Sequence, residues 1–419
     1  MKLTAEQQRI LNGKEGRILR EAMENLVKYG NAMGAEEFIP ISSVHTAFSA
    51  MDVVALCFSP RGRELTKEDI DRFSKEISEL RVKVRTTTSS GIIDRKKWRQ
   101  MGADEVTYKS VMEAVEIVRK CGIMATYSNN PHLADNIPLM GEHCAWAVSN
   151  TFSYINSFLG ARSNRESYET SLYSAFLGIT PNFGMHLDEN RKGTDLVDVR
   201  CTLENACDWQ ALGYFTGDRV GLGIPVFKNA GRPTIEEAYE LCASINSPGA
   251  IPMLLIPGVS PEAPTIEAAF KGNKPGNTYV FDESAKRKIH QYLNYHPEGK
   301  VDLIDLHCMT LYGMKEMSRM LEGKHVAKGT RFWVTTSSSI RDTAEELGYA
   351  QMIEDSGAEL FADGSIAIFY INAPAKKPKM DCVATDSAKM AFIIRRSFHS
   401  NIFFGNTERC IEIAIKGGV

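Results

Sequence analysis

Apolar and polar positions along this chain keep switching between a helical period and short strand-like runs, and the switch recurs from end to end. From Thr66 to about Leu80, Ile70, Phe73, Ile77 and Leu80 form one stripe, with Asp69 at the capping-box position, which predicts a helix. Val82-Lys-Val-Arg85 reads as a strand opening into the polar stretch Thr86-Thr-Thr-Ser-Ser-Gly91. A helix near Ser110 to Lys120 is stopped by Gly122, before a short strand Ile123-Met-Ala-Thr126. The second half has the same grammar. A capped helix starts at Pro233-Thr-Ile-Glu-Glu, and an amphipathic helix is expected from Phe281 to Tyr295. Val301-Asp-Leu-Ile-Asp-Leu306 is a strand leading into a helix near Leu311 to Leu321. The strand Arg331-Phe-Trp-Val-Thr335, a helix from Ile340 to Leu347 and the strand Glu359-Leu-Phe-Ala362 complete the series.

Alternation of this kind predicts α/β architecture, with largely parallel sheets between layers of helices. Periodicity weakens around Cys201 to Thr216, and Ala373-Pro-Ala-Lys-Lys-Pro-Lys379 has the composition of a linker. These features divide the chain into an α/β domain over 1–205, a second over 206–376, and a segment 377–419 expected to return to the first.

Composition narrows the class. The 419 residues are 43% hydrophobic and 24% charged, which excludes a disordered chain. Lys and Arg number 49 against 52 Asp and Glu, a formal charge of −3, without the basic excess of nucleic-acid or membrane-surface proteins. The polar start Met1-Lys-Leu-Thr-Ala-Glu-Gln-Gln has no signal-peptide core, and the best apolar run, Ile251 to Val259, is too short to span a membrane. The 9 cysteines are scattered, with no C-x-x-C pair, so a cytoplasmic protein with reduced thiols is expected.

Several familiar signatures are absent: the P-loop, a complete G-x-G-x-x-G, H-E-x-x-H and G-x-S-x-G. What remains is a set of polar clusters at loops after strands. Thr335-Thr-Ser-Ser-Ser339 and Thr86 to Gly91 could hold an anion at a helix start or simply cap it. Gly160-Ala-Arg-Ser-Asn-Arg-Glu166 places Arg162 and Arg165 beside Ser163 and Asn164, a chemistry suited to carboxylate or phosphate and equally to a salt-bridge network. His186 lies among polar residues in Phe183-Gly-Met-His-Leu-Asp-Glu-Asn-Arg191. Thr385-Asp-Ser-Ala-Lys389 offers a lysine and two hydroxyls, and His307-Cys308 follows a hydrophobic strand. Their common theme is a small anionic ligand.

In this order the clusters resemble the large subunit of the aconitase X family. The resemblance starts at Leu3-Thr-Ala-Glu-Gln and Leu11-Asn-Gly-Lys-Glu-Gly16, and continues through Ala22-Met23, Gly34-Ala35 and Ile39-Pro-Ile-Ser-Ser-Val-His45. It runs on through Gly91-Ile-Ile-Asp94, Asn136-Ile-Pro-Leu-Met-Gly-Glu142 and Asn156 to Glu166. Gly184 to Arg191, Thr385 to Lys389 and Cys410-Ile-Glu-Ile-Ala complete it, so that it covers effectively the whole chain. The resemblance implies an aconitase-like three-layer α/β/α body and a hydro-lyase acting on a small hydroxy acid, cis-3-hydroxy-L-proline or 5-phosphomevalonate in the family. It also implies a swivelling domain, here on a separate small subunit, that supplies a catalytic serine, and an iron–sulfur cluster acting as Lewis acid.

By that resemblance, Arg162, Ser163, Asn164, Arg165, Thr385, Asp386 and Ser387 would bind substrate, and His45, His186 and Lys389 would be catalytic. The cluster cysteines are where this chain departs from the family. Of three ligand positions only Cys308 keeps its sulfur; Asn129 and Ser365 occupy the other two, in Ser128-Asn-Asn-Pro-His132 and Asp363-Gly-Ser365. One sulfur in three cannot hold an ordinary cubane. The alternatives are a mononuclear divalent metal held by Cys308 with His307, Asp363 or His132, or no metal. Two functions follow: a dehydratase or isomerase with an altered site, or a cluster-free paralogue that binds an anionic ligand or partner subunit without dehydrating it.

Overall fold

The computed structural model describes residues 1–47, 75–77, 79–91, 93–295, 299–365 and 379–419. They fall into two compact units, one of Met1–Ser89, Lys109–Gly193 and Pro252–Lys274, the other of Ser90–Tyr108, Thr194–Ile251 and Pro275–Val419.

In the first unit, β1 (Phe38–Pro40) lies antiparallel to β5 (Ile179–Pro181). Beside this ribbon, β2 (Ser43–Thr46) pairs in parallel with β3 (Arg85–Thr88) on one edge and β4 (Cys144–Trp146) on the other. The helix Tyr168–Leu177 starts on a Ser167/Thr170 capping box and ends on Gly178, whose φ of +71° supplies the left-handed stop. Its Ala175 packs with Ile41, Val44 and Ala145, seating the helix on the parallel sheet. A second core forms where Ala22, Met23 and Leu26, one stripe of the helix Arg17–Ala32, meet Leu177.

The second unit carries two parallel sheets. The smaller has β6 (Asp195–Val199) between β7 (Pro225–Lys228) and β8 (Thr278–Phe281). The larger contains β9 (Leu303–Leu306), β10 (Arg331–Thr336), β11 (Glu359–Ala362), β12 (Cys382–Thr385) and β13 (Asn401–Phe404), in the order β11-β10-β9-β12-β13. Side chains alternate across the central strand. Ile304 and Leu306 face a core shared with the helices Leu311–Leu321, Tyr349–Asp355 and Thr407–Lys416. Leu303 and Asp305 face the opposite side, where the helix Ala388–Phe398 packs near β12 and β13. The expected α/β fold with mostly parallel sheets is what the chain adopts.

Several elements are displaced from their sequence expectations. The strand expected at Val82–Arg85 begins instead at Arg85, because the Val82 and Lys83 amides donate to Cys121 and Ala175 carbonyls rather than to a neighbouring strand. Ile123–Thr126 contributes a single bridge, Met124 to Thr87. The helix expected from Phe281 starts at Glu283, since Asp282 caps it through the Ala285 amide and Phe281 ends β8. The weak periodicity near Cys201–Thr216 belongs to the helix Ala206–Val220, buried from Cys207 through Gly217 and therefore without a polar stripe. Residues 382–419, expected with the first domain, instead provide β12 and β13 of the second unit. The Thr66–Leu80 helix, apart from its last residues, and the linker before Lys379 lie outside the described residues.

Asp94 ties the segment 90–108 into the second unit. Its buried carboxylate accepts from the amides of Lys96 (2.7 Å), Lys97 (2.8 Å) and Ala362 (2.7 Å), and from the buried Arg341 guanidinium (2.8 Å). Among the described residues no helix is long and apolar enough to cross a membrane. Asp94→Ala removes the buried partner of Arg341, leaves it the longer pairs to Asp342 (3.5 Å) and Glu345 (3.4 Å), and is expected to cost about 3 kcal/mol of stability in chemical denaturation. The Asp94→Leu/Arg341→Met pair should recover much of that loss, and a single-variant loss below about 1 kcal/mol would contradict the assigned role.

Candidate functional site

Each parallel sheet is built outward from its first strand. The chain adds β3, β7 or β10 on one side of β2, β6 or β9, then returns to the other side with β4, β8 or β12. Such a reversal opens a crevice at the carboxyl ends of the two strands flanking the switch. Backbone strain gathers at the same edge. Val148, Asn229, Cys308 and Asp363 have φ values of +70°, +63°, +57° and +64° just beyond β4, β7, β9 and β11.

At the switch of the first unit, His45 is fully buried in β2, with Nδ1 2.9 Å from Thr87 Oγ1 of β3. Asn136 Nδ2 donates to the same hydroxyl (2.8 Å) and to the Val44 carbonyl (3.0 Å). His45 Nε2 is buried without a hydrogen-bond partner among the described residues. Burial, then the nearby His132, lowers the His45 pKa to about 3, and burial lowers that of His132 to about 4. Both rings are neutral at pH 7 and so suited to accept a hydrogen bond, while burial makes them weak bases.

The arginine motif of this unit is largely a lock. Ser163 Oγ accepts from the Trp146 amide (2.9 Å) and donates to the Asn164 carbonyl (2.9 Å). Asn164 joins Phe183 O and Met185 N, at 3.1 and 2.8 Å. Gly184 faces that amide so closely that a Cβ would stand 2.3 Å from Asn164 Oδ1. Arg191 is buried, donating to Met185 O (3.0 Å) and Ala161 O (3.0 Å) and pairing with Glu262. Arg162 donates to His186 O (3.0 Å) and pairs with Asp188. His186 Nδ1 lies 3.0 Å from His143 Nδ1, and its Nε2 is buried without a partner among the described residues. Burial and then His143 lower the His186 pKa to about 3. Only Arg165 of the four motif residues is exposed, with no hydrogen bond or carboxylate partner among the described residues.

Sequence reasoning missed Glu166. Its carboxyl is buried, accepts from Thr170 Oγ1 (2.6 Å), leaves Oε1 unpartnered among the described residues, and is raised by burial to about pKa 7.

In the second unit, the crevice between β9 and β12 gathers His307, Cys308, Asp386 and Lys389. Ser387 caps the helix Ala388–Phe398 through the Met390 amide, and Thr385 Oγ1 accepts from the Ser387 amide (3.2 Å). Asp386 accepts from Thr407 Oγ1 (2.7 Å), and its carbonyl takes the Gln210 amide (2.8 Å). Two carboxyls here keep their protons at neutrality, and a third, Asp386, is raised but largely ionised there. Burial, then Asp386, raises Asp305 to about 8; burial, then Asp386, raises Glu240 to about 8; burial raises Asp386 to about 6. Both Asp305 oxygens are fully buried with no hydrogen-bond partner among the described residues. Lys389 faces this group: its charge opposes the rise at Glu240 and, after burial, helps lower His307 to about 3. Asp305 and Glu240 carried no motif, and only their alternation with apolar neighbours in buried elements could have pointed to them.

The anion expected at Thr335–Ser339 is the chain's own. Asp363 accepts from the Ser338 amide (2.8 Å), from the Ser338 hydroxyl and from Arg95 (3.0 Å), which occupies the start of the helix Ser338–Glu346.

The donor set does not fit an iron–sulfur cubane. Among the described cysteines, Cys121, Cys144, Cys207, Cys242, Cys382 and Cys410 are buried, and burial raises the thiol pKa at Cys121 and Cys144 to about 11 and about 12. Cys308 stands at a sheet's carboxyl edge, but Asn129 and the buried Ser365 offer no thiolate. Among the described residues no group of three or more His, Cys, Asp or Glu is arranged to hold a metal ion. His307 Nδ1 lies 3.1 Å from Thr335 Oγ1, and Asp363 is occupied by Ser338 and Arg95.

Sequence models of the aconitase X first, second and third domains match residues 1–189, 193–291 and 301–416. The phosphomevalonate dehydratase large subunit of Thermococcus kodakarensis is 32% identical, with 99% of this chain and 100% of the relative covered. That of Methanosarcina mazei is 30% identical over 100% of this chain and 98% of its own. The cis-3-hydroxy-L-proline dehydratase of Pseudomonas aeruginosa is 25% identical over 99% of this chain and 70% of the relative. The crystal structure of Thermococcus kodakaraensis aconitase X in its holo-form matches with a TM-score of 0.83 at 31% identity, covering 99% and 100% of the two chains. With all three domain models matched in order along its length, the chain belongs to the aconitase X family.

Proposed function

We propose that this chain is the large subunit of a hydro-lyase that dehydrates a small anionic hydroxy acid, and that it works with a separate small subunit. Full-length similarity to chains named large subunits supports the partner, and the relatives' names support the substrate class. The observation that carries the chemistry is the β9/β12 crevice, where Lys389 acts on Glu240 and His307 and burial raises the pKa of Glu240, Asp305 and Asp386. Lys389 would bind the substrate's carboxylate or phosphate. Dehydration removes a proton from carbon and sends the hydroxyl out with a second proton as water. Asp386, half-buried and with its pKa raised to about 6, would donate that second proton from its protonated form. Taken by itself, the first unit offers Arg165, exposed and without a carboxylate partner among the described residues, as a cation for an anionic group, and the neutral rings of His45 and His186 as hydrogen-bond acceptors. Arg162, Ser163, Asn164, Thr385 and Ser387 would act by fixing the loops that present these groups.

The missing thiolates also favour a second reading, in which the chain binds an anionic ligand without dehydrating it. Kinetics separates the two. With the small subunit present, turnover of phosphomevalonate or cis-3-hydroxy-L-proline is expected, and Lys389→Met should lower kcat/KM by about 100-fold or more. Binding without turnover supports the second reading, and an unchanged kcat/KM in Lys389→Met contradicts the role given to that lysine.

Two further outcomes follow. Anaerobically purified protein is expected to lack the iron and sulfide of a cubane, and about four irons per chain would contradict the donor-set argument. Asp305 keeps its proton in the fold after the unfolded chain has lost its own, so its contribution falls as pH rises between about 4 and about 8. The melting temperature of Asp305→Asn should therefore gain on the wild type across that window. A constant difference at every pH would contradict the raised pKa.

A further inference from the structure

The helix Ala388–Phe398 has Lys389 in its first turn and two arginines in its last. At that far end a cavity of about 320 Å³ opens in the second unit, bounded by Tyr292 and Leu293 on one side and by Ala391, Phe392, Arg395, Arg396 and His399 on the other. Its floor is apolar, with Leu293 and Ala391 buried at 4% and 2% exposure. Its rim is cationic. The Arg395 guanidinium lies 3.8 Å over the Tyr295 ring and donates to the Tyr292 carbonyl at 3.4 Å, and that of Arg396 lies 4.3 Å over Phe392.

Among the described residues neither guanidinium has a carboxylate within ion-pair distance, and no acidic side chain lines the cavity. A helix C-terminus accounts for some preference for cations, but not for two arginines each held over an aromatic ring around an apolar hollow. Guanidinium groups fixed in this way lose little freedom when they take an anion, and their planar forks suit the several oxygens of a phosphate. The volume is at the small end of ligand pockets.

We propose that this cavity is a binding site for an amphiphilic organic phosphate, with the phosphate on Arg395 and Arg396 and the aliphatic body on Leu293, Ala391 and Phe392. Neither the aconitase X match nor the β9/β12 crevice requires it.

Calorimetric titration of the full chain with n-hexyl phosphate tests it, with inorganic phosphate and hexanol as part-ligands and phosphatidic-acid vesicles in a sedimentation assay. The expected result is one saturable site per chain for hexyl phosphate, with inorganic phosphate about tenfold or more weaker and hexanol without measurable binding. Arg395→Ala/Arg396→Ala should weaken hexyl phosphate by about 100-fold, roughly tenfold per arginine. Arg395→Lys/Arg396→Lys, which keeps the charge and removes the forks, should fall between the two and serves if the alanine pair fails to fold. Absence of saturable binding, affinity unchanged in a folded double variant, or binding to vesicles alone would each overturn the proposal.

Discussion

Parallel pairing about a central first strand is the constraint on which the rest of this molecule depends. A parallel neighbour cannot be reached by a tight turn, so each return must cross a face of the sheet, usually as a helix. When successive crossovers go to opposite sides of the first strand, they diverge at its carboxyl end. β2, β6 and β9 all hold that central place. Polar and strained residues are tolerated there because the diverging loops leave the edge open. His45 and Asp305 lie within the central strands near those ends, Cys308 just beyond β9, and Val148 just beyond the neighbouring β4.

How much of this was legible in the sequence depends on where a signal resides. The helices at Leu311–Leu321 and Ile235–Ile245 and the strand Glu359–Ala362 were readable because local chemistry decides them: Thr234 with Glu237 forms a capping box, and the strand is apolar between turns. The helix Ala206–Val220 was not, because burial on all sides erases the periodicity that marks a helix. Placement of residues 382–419 in the second unit was also hidden, since nothing local to β12 encodes its pairing with β9.

The site shows the same division. Motifs rich in Arg, Ser and Asn stood out in sequence, yet Ser163, Asn164 and Arg191 spend their hydrogen bonds locking one loop to another. A motif that fixes a loop and a motif that grips a ligand use the same residue types, and only the bond partners tell them apart. Conversely, Asp305, Glu240 and Glu166 were silent in sequence, since their raised pKa values come from surroundings assembled by distant segments. Asp363 explains a third case: the anion site expected at a helix start exists, and the chain fills it from 25 residues away.

The account's central claim is that an aconitase X fold can retain dehydration chemistry on its protonated carboxyls and lysine after losing cluster thiolates. The most direct measurement is single-turnover dehydration by the complex with its small subunit, before and after iron–sulfur reconstitution. The account predicts the same rate in both preparations, following the ionisation of a group near pKa 6. Turnover that appears only after reconstitution would contradict it.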